Sequence, residues 1–298
     1  MKSKSSSFQN PIIIILGIAL LKLILHFYFN AYAGYGIFRD EYYYISCSNH
    51  LDWGYVDQPP LSILILKFVI LIFGKSQFAI RLVPSIIGAI TVIITGLIIK
   101  KLDGNRFSIV YGCVTIALAP IYLGFTGFYS MNIIDMLLWL ISAYLIVKII
   151  KEDNTKLFVL LGFIFGLGVM NKISMVWMII GFCVALFFKP YRMWFRSKYL
   201  YIALSICFIM AVPFIIWNFQ HDFAHLEFMR NASKLKYSST NPMSLVFDQL
   251  MLMTPVFVFN IIALILYLKT ETEKKYKILP IIFFTIFVLT SALGHPKH

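Results

Sequence analysis

Phe78-Ala79-Ile80-Arg81-Leu82-Val83-Pro84-Ser85-Ile86-Ile87-Gly88-Ala89-Ile90-Thr91-Val92-Ile93-Ile94-Thr95-Gly96-Leu97-Ile98-Ile99 is an apolar run broken by a single charge. A helix crosses the hydrocarbon core of a bilayer with roughly 20 apolar residues. The run is too long for a strand and lacks alternation, and a lipid-embedded backbone has to satisfy its own hydrogen bonds, so it reads as a transmembrane helix. Similar runs, some a little short, lie at 11–29, 106–123, 132–150, 157–171, 173–188, 199–217, 250–268 and 278–294. The whole 298-residue chain is 60% hydrophobic and 13% charged, against roughly 25% charged in soluble domains. These proportions exclude a soluble enzyme and a disordered tail.

The net charge of +13 does not indicate a nucleic-acid binder, because the cations sit in short clusters between apolar runs. Lys2 and Lys4 before the first run, and Ala31-Tyr32-Ala33 after it, raise the question of a signal peptide. A signal core has about 7–15 apolar residues, whereas this run is longer and contains Lys22 and His26, so it is read as the first span. With the N-terminus in the cytoplasm, sixteen of the 26 Lys and Arg fall in cytoplasmic segments and eight outside. Such a bias orients a membrane protein. It also argues against 61–74 as a crossing, since that would send every later loop to the other side. As a helix this stretch is about 21 Å long, so it is expected to lie at or dip into the outer interface, a tilted hairpin with 78–99 being the alternative. Two long extracytoplasmic loops result, at 30–77 and 218–249. The four cysteines have no metal-ligand or redox spacing, and no disulfide is expected.

The first loop holds Asp40, Glu41, Asp52 and Asp57 among Tyr and Trp residues. Aromatic rings of this kind favour the membrane interface, where a partly dehydrated carboxylate can be tuned as a base or metal ligand. An aromatic belt with incidental acids gives the same composition. Asp135 stands one turn into its span; it is either a functional intramembrane carboxylate or a helix N-terminal acid with Asn132 as cap. Lys172, at the tip of an outer hairpin, suits a lipid-linked phosphate or snorkels to the headgroups. Arg39 and Arg81 are similar candidates on that side. In His221-Asp222-Phe223-Ala224-His225 a histidine and a carboxylate permit metal binding, although a hydrogen-bonded loop histidine looks the same. His26 is read as structural.

Arg39-Asp40-Glu41-Tyr42-Tyr43-Tyr44 followed by Leu51-Asp52-Trp53-Gly54-Tyr55-Val56-Asp57-Gln58-Pro59-Pro60-Leu61 closely resembles the first periplasmic loop of bacterial family 39 glycosyltransferases. These are relatives of protein O-mannosyltransferases and lipid A aminoarabinose transferases. The resemblance continues through Arg81-Leu82-Val83-Pro84-Ser85, Asn132-Ile133-Ile134-Asp135, Asn171-Lys172 and Trp217-Asn218-Phe219-Gln220-His221-Asp222-Phe223. It implies an all-α polytopic membrane protein with a GT-C-type helical bundle. About nine or ten transmembrane helices, one integral-membrane domain over 1–298 and an extracytoplasmic first loop with juxtamembrane helices are expected. It also implies a bacterial plasma-membrane location and a polyprenyl-phosphate sugar donor. The acceptor, a glycan, lipid or protein, stays open.

By the same resemblance Asp40 is the catalytic base and Glu41 orients it or the substrate. Asp135 and Lys172 match positions near the donor phosphate, and Arg39 and Arg81, cations on the same side, are expected to serve the substrate or that phosphate with them. Asp57 corresponds to a position that helps hold a divalent metal ion in aminoarabinose transferases. Two departures stand against this. No histidine follows Phe228, so a metal site needs His221 or His225 instead; and the chain stops at Gly294-His295-Pro296-Lys297-His298, where relatives continue. A truncated, inactive remnant is therefore one alternative. A transporter or flippase of lipid-linked precursors is another, but it would place ionisable groups near the midplane and show inverted repeats.

Overall fold

In the computed structural model, residues 10–32, 34, 36–235, 242–253, 261–263, 265 and 276–293 are described. Most of the expected span at 250–268, and residues 294–298, lie outside them. The described residues form helices: α1 (Pro11–Tyr32), α2 (Arg39–Asn49), α3 (Leu61–Phe73), α4 (Gln77–Lys101), α5 (Arg106–Leu118), α6 (Pro120–Thr126), α7 (Met131–Glu152), α8 (Leu157–Asn171), α9 (Met175–Leu186), α10 (Lys198–Gln220), α11 (Ala224–Leu235), α12 (Pro242–Met253) and α13 (Ile278–Leu293), with a 3₁₀ turn at Arg192–Arg196. This is an all-α membrane fold. Helices α1, α4, α7 and α10 are long and apolar enough to cross a bilayer, and α5 with α6 makes a fifth if that bent pair is one span. Helices α3, α8, α9 and α13 are apolar but shorter, so among the described residues four or five helices are of spanning length.

The chain clusters into two compact units, residues 1–50 with 62–147 and residues 51–61 with 148–298. In the first, α1 runs antiparallel to α4. Asn30 donates to the Ser85 hydroxyl at one end (2.9 Å), and Gly96 lies against Ile15 at the other. Both helices pack on α5, and Ile15, Ala19, Ala89, Val92, Ile109, Cys113 and Ala117 form the shared core. Helix α4 starts at Ser76, whose hydroxyl accepts from the Ala79 amide (3.1 Å), and it ends on Lys100 and Lys101, cations suited to a helix C-terminus.

The run 106–123 is not one straight helix. Pro120 has no amide proton to continue the ladder of α5, and α6 leaves at 55°. Lys22 of α1, buried at mid-helix, donates to the Ala117 carbonyl in the last turn of α5 (2.9 Å). One turn on, His26 Nε2 pairs with the Thr126 hydroxyl at the end of α6 (2.8 Å). Lys22, His26 and Asn30 are spaced by four, so they share one face of α1. All three polar groups find partners there.

In the second unit α8 packs on α10 and α9 on α13. Gly162 lets α8 approach the Ala203 backbone of α10, where no Cβ fits. Phe158, Phe182 and Trp194 close the end near the 3₁₀ turn, with Phe158 edge-on to both other rings.

Candidate active site

In the first unit the motif 39–44 opens α2. Asp40 and Glu41 lie in its first turn, where carboxylates are favoured by the exposed amides and the helix dipole. They have different fates. Asp40 keeps 47% of its side chain exposed and accepts from Arg39 Nε (3.2 Å), itself almost fully exposed. Glu41 is 1% exposed and accepts four hydrogen bonds. Oε1 receives Arg81 Nε (2.9 Å) and the Tyr129 amide (2.8 Å); Oε2 receives Arg81 Nη2 (2.7 Å) and the Phe38 amide (2.8 Å). Arg81 Nη2 also donates to the Gly36 carbonyl (2.9 Å).

This bidentate pair ties α2 to α4 and to the segment before α7, with the geometry that makes arginine–carboxylate pairs directional. Two tyrosines extend it. Tyr129 donates its hydroxyl to the Ser62 carbonyl of α3 (2.6 Å), and burial, with Tyr44 nearby, holds its phenol well above the ordinary pKa. The Tyr44 hydroxyl oxygen accepts from the Met131 amide at the start of α7 (3.0 Å). Asn132 therefore lies inside α7 and is not its cap. Asp135 follows within α7, 8% exposed. Of the residues expected to serve catalysis and the donor, the structure joins Glu41 to Arg81 and Arg39 to Asp40 by side-chain contact.

In the second unit, residues 51–61 are laid on the end of α10. Asp52 Oδ2 accepts from the Trp217 indole (2.9 Å) and Oδ1 from the Trp53 amide (2.7 Å). Gly54 presses against Trp217 so closely that a Cβ would fall 2.5 Å from the ring. The Tyr55 amide donates to the Gln58 carbonyl (2.9 Å), a tight turn that brings the chain to the buried Pro59 and Pro60. Asp57 is half-buried in that turn, and its neighbour Val56 offers its carbonyl to His225 Nδ1 (3.0 Å). Lys172 closes α8 as its C-cap, half-buried beside the fully buried Asn171.

His221 is exposed, with Nδ1 2.8 Å from the Trp217 carbonyl and its ring stacked on that indole at 4.2 Å. Among the described residues no three of His, Cys, Asp and Glu converge as a metal-ligand set. Asp57 and His221 therefore belong to no such set among the described residues.

Asp52, Trp217, Gly54 and Tyr129 are positioning groups that the folded chain reveals. Their partners Trp217, Asp52 and Ser62 lie far off in sequence, so no local pattern gives the pairings. The polar stripe Lys22–His26–Asn30 did carry a signal, its spacing of four inside an apolar run.

Comparison with known proteins bears on this arrangement. The chain is 23% identical over 215 residues, 72% of its own length, to the lipid A galacturonosyltransferase RgtD of Rhizobium johnstonii. It spans 44% of the length of that relative. No solved structure matches it. The sequence model described as dolichyl-phosphate-mannose-protein mannosyltransferase matches residues 57–217, more than half of the chain and most of the helices just described. By that match the chain belongs to this family of membrane glycosyltransferases.

Proposed function

We propose that this protein transfers a sugar from a polyprenyl-phosphate donor to a hydroxyl acceptor on the extracytoplasmic face of the membrane, with Asp40 as the base. One observation carries the reading. Asp40 is the half-exposed carboxylate of the motif, while its neighbour Glu41 is locked by four hydrogen bonds that fix the first turn of α2. A base held on a rigid turn and open to a substrate is what proton abstraction from an acceptor requires. The family match and the galacturonosyltransferase relative, whose name gives lipid A as its acceptor, support sugar transfer.

In the reaction Asp40 takes the proton of the acceptor hydroxyl, whose oxygen bonds to the anomeric carbon. The bond from that carbon to the phosphate oxygen breaks, and polyprenyl phosphate leaves with the electron pair. Arg39, next to Asp40 and almost fully exposed, is the nearby cation for the departing phosphate. Glu41 and Arg81 position this turn and touch no substrate. Asp135 and Lys172 remain candidates for donor binding. The test is transfer by the full chain in lipid nanodiscs, given polyprenyl-phosphate sugars and a lipid A acceptor. Asp40→Asn is expected to lower the rate by about 10²–10⁴-fold with an unchanged thermal transition. An Asp40→Asn protein as fast as the parent rejects the base.

A further inference from the structure

The stretch that leads from α9 into the start of α10 carries Lys189, Arg192, Arg196 and Lys198, and no Asp or Glu occurs between Asp153 and Asp222. The other cation-rich turns differ. Asp103 stands among Lys100, Lys101 and Arg106, and Glu152 and Asp153 stand among Lys148, Lys151 and Lys156. All four cations of the α9–α10 stretch are exposed, and among the described residues none of them forms an ion pair. Beside them Phe187 (64%), Phe188 and Met193 (63%) are exposed as well.

This surface is held from beneath. Tyr191 and Trp194 turn inward and are buried, and the Trp194 ring meets Phe158 (centroids 5.2 Å) and Tyr191 (5.5 Å). Arg192 Nε donates to the Phe187 carbonyl (2.7 Å), and the Tyr201 hydroxyl donates to the Phe195 carbonyl (2.9 Å). The two inward rings fix the 3₁₀ turn, so the cations and the three apolar side chains are presented together on the outside.

We propose that this stretch is a binding surface for anionic phospholipid headgroups, at the bilayer surface where α9 and α10 emerge. The cations attract the phosphate, and Phe187, Phe188 and Met193 enter the acyl boundary beside it. A free phosphate ion would use the cations and leave those three side chains in water, so the surface fits the lipid. A zwitterionic headgroup brings its own cation and is held less well. The inference does not rest on the proposed sugar transfer and uses none of its residues.

The full chain, in a neutral detergent, is offered equal amounts of dioleoyl phosphatidylglycerol and dioleoyl phosphatidylcholine, and the lipid retained is counted by native mass spectrometry. The parent is expected to retain phosphatidylglycerol about tenfold over phosphatidylcholine. Lys189→Gln with Arg196→Gln and Lys198→Gln keeps Arg192 and its bond to Phe187, and should bring that ratio to about twofold or less. Lys100→Gln with Lys101→Gln and Arg106→Gln removes the same charge from the first unit and should leave the ratio near that of the parent. A phosphatidylglycerol with a diazirine close to its headgroup maps the contact, with crosslinks expected in residues 187–198. Equal retention of the two lipids overturns the proposal, as does the same loss in both triple variants or no loss in the first. Crosslinks confined to other regions, or displacement of the lipid by inorganic phosphate at constant ionic strength, overturn it too. The ratio and the crosslink map of the parent protein decide the matter even where a variant fails to fold.

Discussion

Glu41 and Asp40 are neighbours of the same chemistry with opposite fates, and the difference lies in what surrounds each. Glu41 is enclosed by Arg81, two backbone amides and the Tyr44–Tyr129 ring pair, whose centroids are 5.7 Å apart. Removing one partner of a buried ion pair leaves a charge without compensation, which costs about 3–5 kcal/mol, whereas replacing both by apolar groups is often near neutral. Glu41→Gln is therefore expected to lower the thermal transition sharply, and Glu41→Leu with Arg81→Met to recover much of that stability. The double variant still lacks the acceptor that holds the Phe38 and Tyr129 amides, so sugar transfer stays impaired. Size-exclusion thermal-stability curves and transfer assays on the same preparations check both halves. Tyr129→Phe removes the hydroxyl that donates to the Ser62 carbonyl and should cost about 1 kcal/mol.

The helices owe their packing to small residues and to polar groups placed where a helix is interrupted. At Gly162 an added Cβ would meet the Ala203 backbone, which cannot swing away as a side-chain end can. Gly162→Ala should push α8 from α10 and cost about 1–3 kcal/mol. Gly17 in α1 and Gly124 in α6 have open space around the same position. Alanine there is expected to be neutral or to stabilise by up to about 1 kcal/mol through helix propensity. Parallel melting curves of the three variants separate steric from propensity effects. At the α5–α6 break the Lys22 cation sits on the last-turn Ala117 carbonyl, the end of a helix that favours positive charge. Gly88 leaves room for Thr126 and for the Lys22 side chain. Lys22→Met keeps the stem and removes the donor, so it should destabilise by about 1–3 kcal/mol, read in the same assay.

For the whole molecule, the charge distribution makes a prediction about sidedness. If the cation-rich linkers face the cytoplasm, Trp53, exposed in the segment that follows α2, faces outward, and Gly104, in the turn between α4 and α5, faces inward. In a variant without the four native cysteines, Trp53→Cys is expected to react with a membrane-impermeant thiol reagent in intact cells. Gly104→Cys should react only after the cells are opened. The reverse pattern rejects the orientation and the extracytoplasmic site with it.

The amino-acid order alone determined that the chain is helical and membrane-embedded, because run length, hydrophobicity and the lack of alternation are local properties set against a fixed bilayer thickness. It also marked Arg39-Asp40-Glu41 as the place to look, through acids set among interfacial aromatics. Tertiary structure decided the rest. That Glu41 belongs to Arg81 and Tyr129, Asp52 to Trp217 and Val56 to His225 depends on contacts between residues 40 to 169 positions apart. No local pattern encodes such pairings. Burial alone separates a sealed carboxylate from an open one, and burial is a property of the folded chain.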